Sequence, residues 1–132
     1  MRVAIDVRKI DDFGVGTYVR NLLHWLARLD QETEYLLVCR RSDCERLEAL
    51  GANFRPLPNR SKNYSIAEQL TVPLGLMRNG VDLFHAPHYV LPALTPCRAI
   101  VTIHDCIHLM FPEYLPGQIA HLYARIAFWI AT

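Results

Sequence analysis

The chain has 132 residues, 52% of them hydrophobic and 20% charged, with a formal net charge of +1. That length and balance fit one folded domain with a real core and exclude a disordered chain. The near-neutral charge carries no global signature for nucleic acid, so none is expected as a partner; only local basic groups stand out, Arg40-Arg41 and Arg60 with Lys62.

Cys39, Cys44, Cys97 and Cys106 form no CxxC pair, and "MRVAIDVRKI" lacks the apolar core and cleavage site of a secretory leader. Both features point to free thiols in a reducing cytoplasm. No stretch approaches the roughly 20 uninterrupted apolar residues that span a bilayer. The expectation is a soluble cytoplasmic chain, at most peripheral at the inner face of a membrane.

The first strand is expected over Arg2–Val7, a short β-branched run ending in charged residues. Tyr18, Leu22, Trp25, Leu26 and Leu29 recur at helical spacing, which predicts a helix from Gly16 to Leu29. "EYLLVCR", Glu34 to Arg40, reads as a second strand. Ser42 followed by Glu45 forms a capping-box pattern at the start of a second helix, with Gly51 as its stop. "ANFRPLP" gives a third strand closed by Pro56 and Pro58. The polar loop "NRSKNYS" leads into "IAEQLTVPLGLMRNG", a helix that Pro73 should break or kink. "VDLFHA" and "RAIVTIHD" are further strands, the second carrying His104 to the sheet edge. A last helix is expected from Pro116 through "GQIAHLYARIAFWIAT".

Strands alternating with helices imply parallel pairing and right-handed crossovers, hence a Rossmann-like, doubly wound α/β sheet with helices on both faces. Ligands of such sheets gather beyond the carboxyl ends of the strands. That rule gathers the segment 6–16, Arg40, His85 to His88 and His104 to His108 on one rim. The chain stops inside an apolar helical pattern, and Ile126, Phe128, Trp129 and Ile130 would need cover on more than one face. The expectation is a truncated domain over 1–132; oligomerisation or membrane contact through the apolar end is the competing reading.

Gly14, Val15 and Gly16 lie between a strand and a helix. Free N–H groups at a helix start attract phosphate or another anion, although such a turn also serves geometry alone. The dinucleotide fingerprint fails, because it requires glycine where Val19 stands and an acidic end to strand two where Cys39-Arg40 stand. His85, His88, His104 and His108, with Asp105 and Cys106, could form the metal site of a hydrolase, yet their spacing matches no closed zinc pattern. His104 suits a polar pocket, where imidazole can donate to a sugar hydroxyl or a phosphate. The bland counterpart is a histidine satisfied by backbone, with Asp105 capping the next turn. Arg60 and Lys62 could hold an anionic acceptor or touch phospholipid headgroups, or simply form a solvated loop.

Taken together, "AIDVRKIDDFGVGTYVRNLL", "DLFHAPHYVLPAL" and "IVTIHDCIHLMFPEYLP" resemble the amino-terminal half of group-1, mannosyltransferase-like, retaining glycosyltransferases of the GT-B fold. The resemblance implies an acceptor-side domain, with a nucleotide-sugar held mainly by an absent carboxyl-terminal domain. It implies that Gly14 and Gly16 face the donor phosphates and the acceptor, that His104 reaches the transferred sugar as the catalytic histidine, and that Asp105 adjoins it. Retention in such enzymes is thought to run by same-face attack, with the leaving phosphate helping to deprotonate the acceptor. No metal or other cofactor is expected. The parent would transfer a hexose, mannose among the candidates, to a glycan or lipid-linked acceptor in cell-envelope polysaccharide synthesis, and this chain alone is expected to be inactive. A metal-dependent hydrolase and a non-catalytic interaction domain stand as the alternatives.

Overall fold

In the computed structural model the described residues are all but 64, 112 and 114–116, and the side chains of 108, 109 and 118–121 also lie outside the description. Five strands, β1 (Arg2–Asp6), β2 (Glu34–Cys39), β3 (Phe54–Pro58), β4 (Leu83–Ala86) and β5 (Arg98–Val101), form one sheet in the order β3-β2-β1-β4-β5. Every pairing is parallel. The chain builds outward from β1 to β3, then crosses back to lay β4 and β5 on the other side of β1. This is the doubly wound sheet expected from the alternating pattern, and its direction reverses between β1 and β4.

Period-two alternation divides the core. Val3, Ile5 and Val7 join Leu37 and Cys39 on one face, beneath Val19 and Leu23 of helix α1 (Val15–Leu29) and Leu47 of the short helix α2 (Cys44–Glu48). Ala4, Leu36, Val38, Phe84 and Ala86 line the other face under Val72 and Leu76 of α3 (Glu68–Arg78). β1 is covered on both sides, which is why it is a continuous apolar run until Asp6. Each fully buried Ile, Leu or Val here contributes roughly 1.5–3 kcal/mol.

Pro73 does not break α3, which runs through it from Glu68 to Arg78. A proline inside a helix costs about 3 kcal/mol, but Val72, Pro73 and Leu76 are all buried against the sheet and offset that loss. Gly80, at φ 58, closes the helix, with Val81 N–H bonding the Leu76 carbonyl.

Three local expectations need correction. Ser42 is no N-cap: residues Arg41–Asp43 form a 3-10 turn, α2 starts at Cys44 without a side-chain cap, and Ser42 Oγ turns to Asp43 instead. Asp43 is buried and paired with Arg46 at 2.9 Å, and that pairing holds it away from the cap. Gly51 does not end α2, which stops at Glu48. β5 ends at Val101, so His104 is delivered by the loop after the strand, although Thr102 N–H still bonds the Ala86 carbonyl and extends the ladder by one rung.

The segment 107–110 forms a short helix, α4, and α5 spans Gln118–Ala131. The expected start at Pro116 lies outside the described residues. One face of α5 packs inward through Ala124, Ala127 and Phe128, whose ring stacks on Tyr89 at 4.4 Å. Ile126 and Trp129 face solvent. No helix among the described residues is long and apolar enough to cross a membrane.

Candidate functional site

The carboxyl edge of the sheet carries two groups of functional side chains, one on each side of β1. The first begins at the turn before α1. Gly14 occupies φ 69, a conformation open to glycine and strained for other residues. Gly16 is required by space: a Cβ there would stand 2.5 Å from the Ile10 carbonyl oxygen. Arg20 also donates to that carbonyl and closes the turn from the helix side.

One turn into α1, Tyr18 reaches across to the ends of β4 and β5. Its ring meets the His104 ring edge-on at 5.1 Å and the His85 ring at 6.3 Å. Its hydroxyl lies 3.3 Å from Thr102 Oγ1, which is 2.8 Å from His85 Nε2. Tyr18 thus joins the glycine turn to the His104 loop. The sequence presents it only as one apolar position of a helix, and nothing in the spacing marks it as a bridge.

His104 is exposed, and its Nε2 lies 3.1 Å from the Pro87 carbonyl. A carbonyl only accepts, so Nε2 carries the proton and Nδ1 of the neutral ring is left as an acceptor. Asp105 Oδ1 accepts from Ile107 N–H at 3.1 Å and caps the turn into α4. His85 is half-buried, and burial holds its pKa below the usual imidazole value.

His88 does not lie on the open rim. It is 4% exposed, and its Nδ1 accepts from Val90 N–H at 3.2 Å. Its Nε2 faces Asp6 Oδ2 at 3.7 Å. Residues 86–88 pack against the end of β1, all three of them buried, so His88 lies at the expected edge of the sheet but beneath its surface.

Beneath His88 lies a charged cluster that the sequence reading missed. Asp6, Arg8 and Glu68 are each at most 3% exposed. Arg8 grips Asp6 with a two-pronged bond, Nε to Oδ1 at 2.9 Å and Nη2 to Oδ2 at 2.6 Å. Nη2 also donates to Glu68 Oε2 at 3.0 Å, and Nη1 to Ser61 Oγ at 3.1 Å. The Tyr123 hydroxyl of α5 donates to Glu68 Oε1 at 3.2 Å. Burial would raise the Asp6 carboxyl, but hydrogen bonds from His88 and Arg8 outweigh it and hold the carboxyl well below the usual range. The available clue was two charges alternating with apolar residues at the end of β1, facing an acidic residue in the first turn of α3.

The second group lies beyond β2 and β3. Arg40, Arg41, Arg60 and Lys62 surround a hollow of about 470 Å³ whose floor includes Arg8 and Ser61. Among the described residues no three His, Cys, Asp or Glu side chains converge to hold a metal ion. His85, His88 and His104 bond to Thr102, Val90 and Pro87 respectively, and the His108 side chain lies outside the described residues.

An all-parallel sheet whose winding reverses at β1, with a glycine turn and an exposed histidine at its carboxyl edge, defines a Rossmann-like α/β domain, a fold whose ligands gather at that edge. Residues 14–132 match the family model for Glycosyltransferase Family 4, and the chain belongs to that family. Its sheet agrees with a Rossmann-like half of a GT-B glycosyltransferase. Asp6 and Arg8 precede the matched segment, whereas Gly14, Tyr18, Glu68, His88 and His104 fall within it. No curated protein and no solved structure matches the chain.

Proposed function

We propose that the chain is the acceptor-side half of a retaining, nucleotide-sugar-dependent glycosyltransferase. The parent moves a hexose, mannose among the candidates, to a glycan or lipid-linked acceptor at the cytoplasmic side of the cell envelope. The donor is held mainly by a second domain, and these 132 residues alone turn over no substrate. No metal takes part.

The observation that carries this reading is the meeting of the Gly14–Gly16 turn and His104 through Tyr18 at one sheet edge. The positive end of α1 faces the donor phosphates, although the Val15 and Gly16 N–H groups are bonded to the Phe13 and Asp12 carbonyls. His104, its Nε2 proton committed to Pro87, presents Nδ1 to a hydroxyl of the transferred sugar. Orientation and electrostatic stabilisation of the departing diphosphate are the work such a site performs. Asp105 caps the turn that follows His104, and the carbonyl of Pro87, beside the buried His88, holds the ring.

The test is transfer by the full-length protein with UDP- and GDP-sugars. His104→Ala should lower kcat by at least a hundredfold with the circular dichroism unchanged. Retained activity in that variant, or turnover by the 132-residue chain alone, would overturn the proposal.

A further inference from the structure

The hollow beyond β2 and β3 takes no part in the site built around His104, and its composition is unusual. Arg40 and Arg41 follow β2 directly, and Arg60 and Lys62 follow β3, so both pairs stand at the sheet edge where ligands bind. None of the four is in an ion pair with a carboxylate among the described residues. Arg8 beneath them is already neutralised by Asp6 and Glu68. Four cations without a carboxylate in ion-pair contact therefore ring one concavity, Asp11 acting on Arg40 only from longer range.

The loop that carries Arg60 and Lys62 is built, not merely solvated. Asn59 N–H bonds the Cys39 carbonyl at 2.8 Å and continues the β2–β3 ladder. Asn59 Oδ1 accepts from Ser61 N–H at 2.8 Å and also from the Ser61 hydroxyl. Ser61 Oγ in turn accepts from the buried Arg8. The loop is pinned to the sheet at one end and to a buried guanidinium in its middle, so the backbone positions that carry its two cations are fixed.

Planar guanidinium forks match phosphate oxygens in pairs, and three arginines with a lysine favour a group of more than one negative charge. Asn59 and Arg60 also border a second groove of about 350 Å³, walled by Val38, Leu57, Val72 and Leu74, with Arg78 and Asn79 also lining it. A phosphate seated in the hollow could therefore carry an apolar substituent into that groove.

We propose that Arg40, Arg41, Arg60 and Lys62 form a binding site for a phosphate or diphosphate group borne by the acceptor, with its apolar portion running into the groove under α3. The word "acceptor" rests on the glycosyltransferase reading; the anion site does not.

The experiment is calorimetric titration of the 132-residue chain at low salt with inorganic pyrophosphate, geranyl diphosphate and glucose 6-phosphate. Pyrophosphate should bind, and geranyl diphosphate at least tenfold more tightly. The double variant Arg40→Ser/Arg60→Ser should weaken both by at least tenfold, with its circular dichroism unchanged. Arg98→Ser, an exposed arginine at the start of β5 on the opposite edge of the sheet, should change neither. Pyrophosphate that does not bind at millimolar concentration, or a loss of equal size in Arg98→Ser, would overturn the site. Glucose 6-phosphate binding as tightly as geranyl diphosphate would overturn the apolar groove and assign the anion to a soluble acceptor. If the full-length protein transfers no sugar yet pyrophosphate binds and responds to the variants, the transferase reading fails alone.

Discussion

Replacing Arg8 with methionine tests whether the buried charge cluster holds the carboxyl edge together. Arg8 is 3% exposed, and its guanidinium makes two bonds to Asp6, one to Glu68 and one to Ser61. Methionine fills much of the stem volume but leaves two buried carboxylates facing one another. Removing one partner of a buried ion network costs about 3–5 kcal/mol, a large share of the 5–15 kcal/mol that folds a typical domain. The sign of the pH dependence follows from Asp6. In the wild type its carboxyl lies below its ordinary value of 3.8, so it stabilises the fold above that pH and the contribution fades as acid protonates it. Without Arg8, burial and the facing Glu68 carboxylate act against His88 without the guanidinium, so the Asp6 carboxyl rises relative to the wild type and the gap between the two proteins narrows as pH falls. The gap between wild type and Arg8→Met, measured by urea denaturation, should be about 3–5 kcal/mol at pH 7 and smaller at pH 5. A gap below about 1 kcal/mol at pH 7, or one that widens on acidification, would refute the reasoning.

Gly16→Ala drives a Cβ to 2.5 Å from the Ile10 carbonyl oxygen, so the turn must shift at a cost of about 1–3 kcal/mol; thermal unfolding should fall accordingly. Gly14→Ala meets no neighbour within 4 Å and costs only the strain of its γ-turn backbone, φ 69 with ψ −77, about 1–3 kcal/mol. A loss at Gly16 below about 1 kcal/mol would contradict the packing argument. The Cys39 thiol is buried 3.8 Å from Cys44 Sγ, and burial with that neighbour pushes it up to about 12. At pH 8 a disulfide reagent should label exposed Cys106 first and Cys39 only on unfolding, as mass spectrometry of labelled peptides would show.

The parallel sheet was readable because its strands are short apolar runs separated by helical spacing, and burial on both faces requires such runs. The glycine turn was readable because its two glycines answer to local geometry, one to φ and one to a carbonyl that crowds it. What escaped notice depends on contacts distant in sequence. Arg8 and Glu68 are 60 residues apart and Tyr18 and Thr102 are 84 apart, and no local pattern announces either pair. The end of β5 was misread because "IVTIHD" stays β-branched past the last residue that pairs, so propensity outran the ladder. His88 sits at the expected sheet edge, but its burial against Asp6 depends on a contact 82 residues away in the chain that no local pattern announces.

One buried ion pair lies under both halves of the edge. Arg8 Nη1 holds Ser61, and with it the loop that presents Arg60 and Lys62. Asp6, gripped by the same guanidinium, faces His88, and the carbonyl of the adjoining Pro87 holds the His104 ring. Glu68 and Tyr123 tie α3 and α5 into the same cluster. A hydrocarbon core would contribute at least as much stability in that volume, because burying charges is costly even when they pair. Apolar packing, however, is non-directional, whereas a two-pronged guanidinium–carboxylate bond fixes distance and angle together. On the proposed reading, with an anion on one side of β1 and a sugar on the other, that spacing matters more than the extra stability.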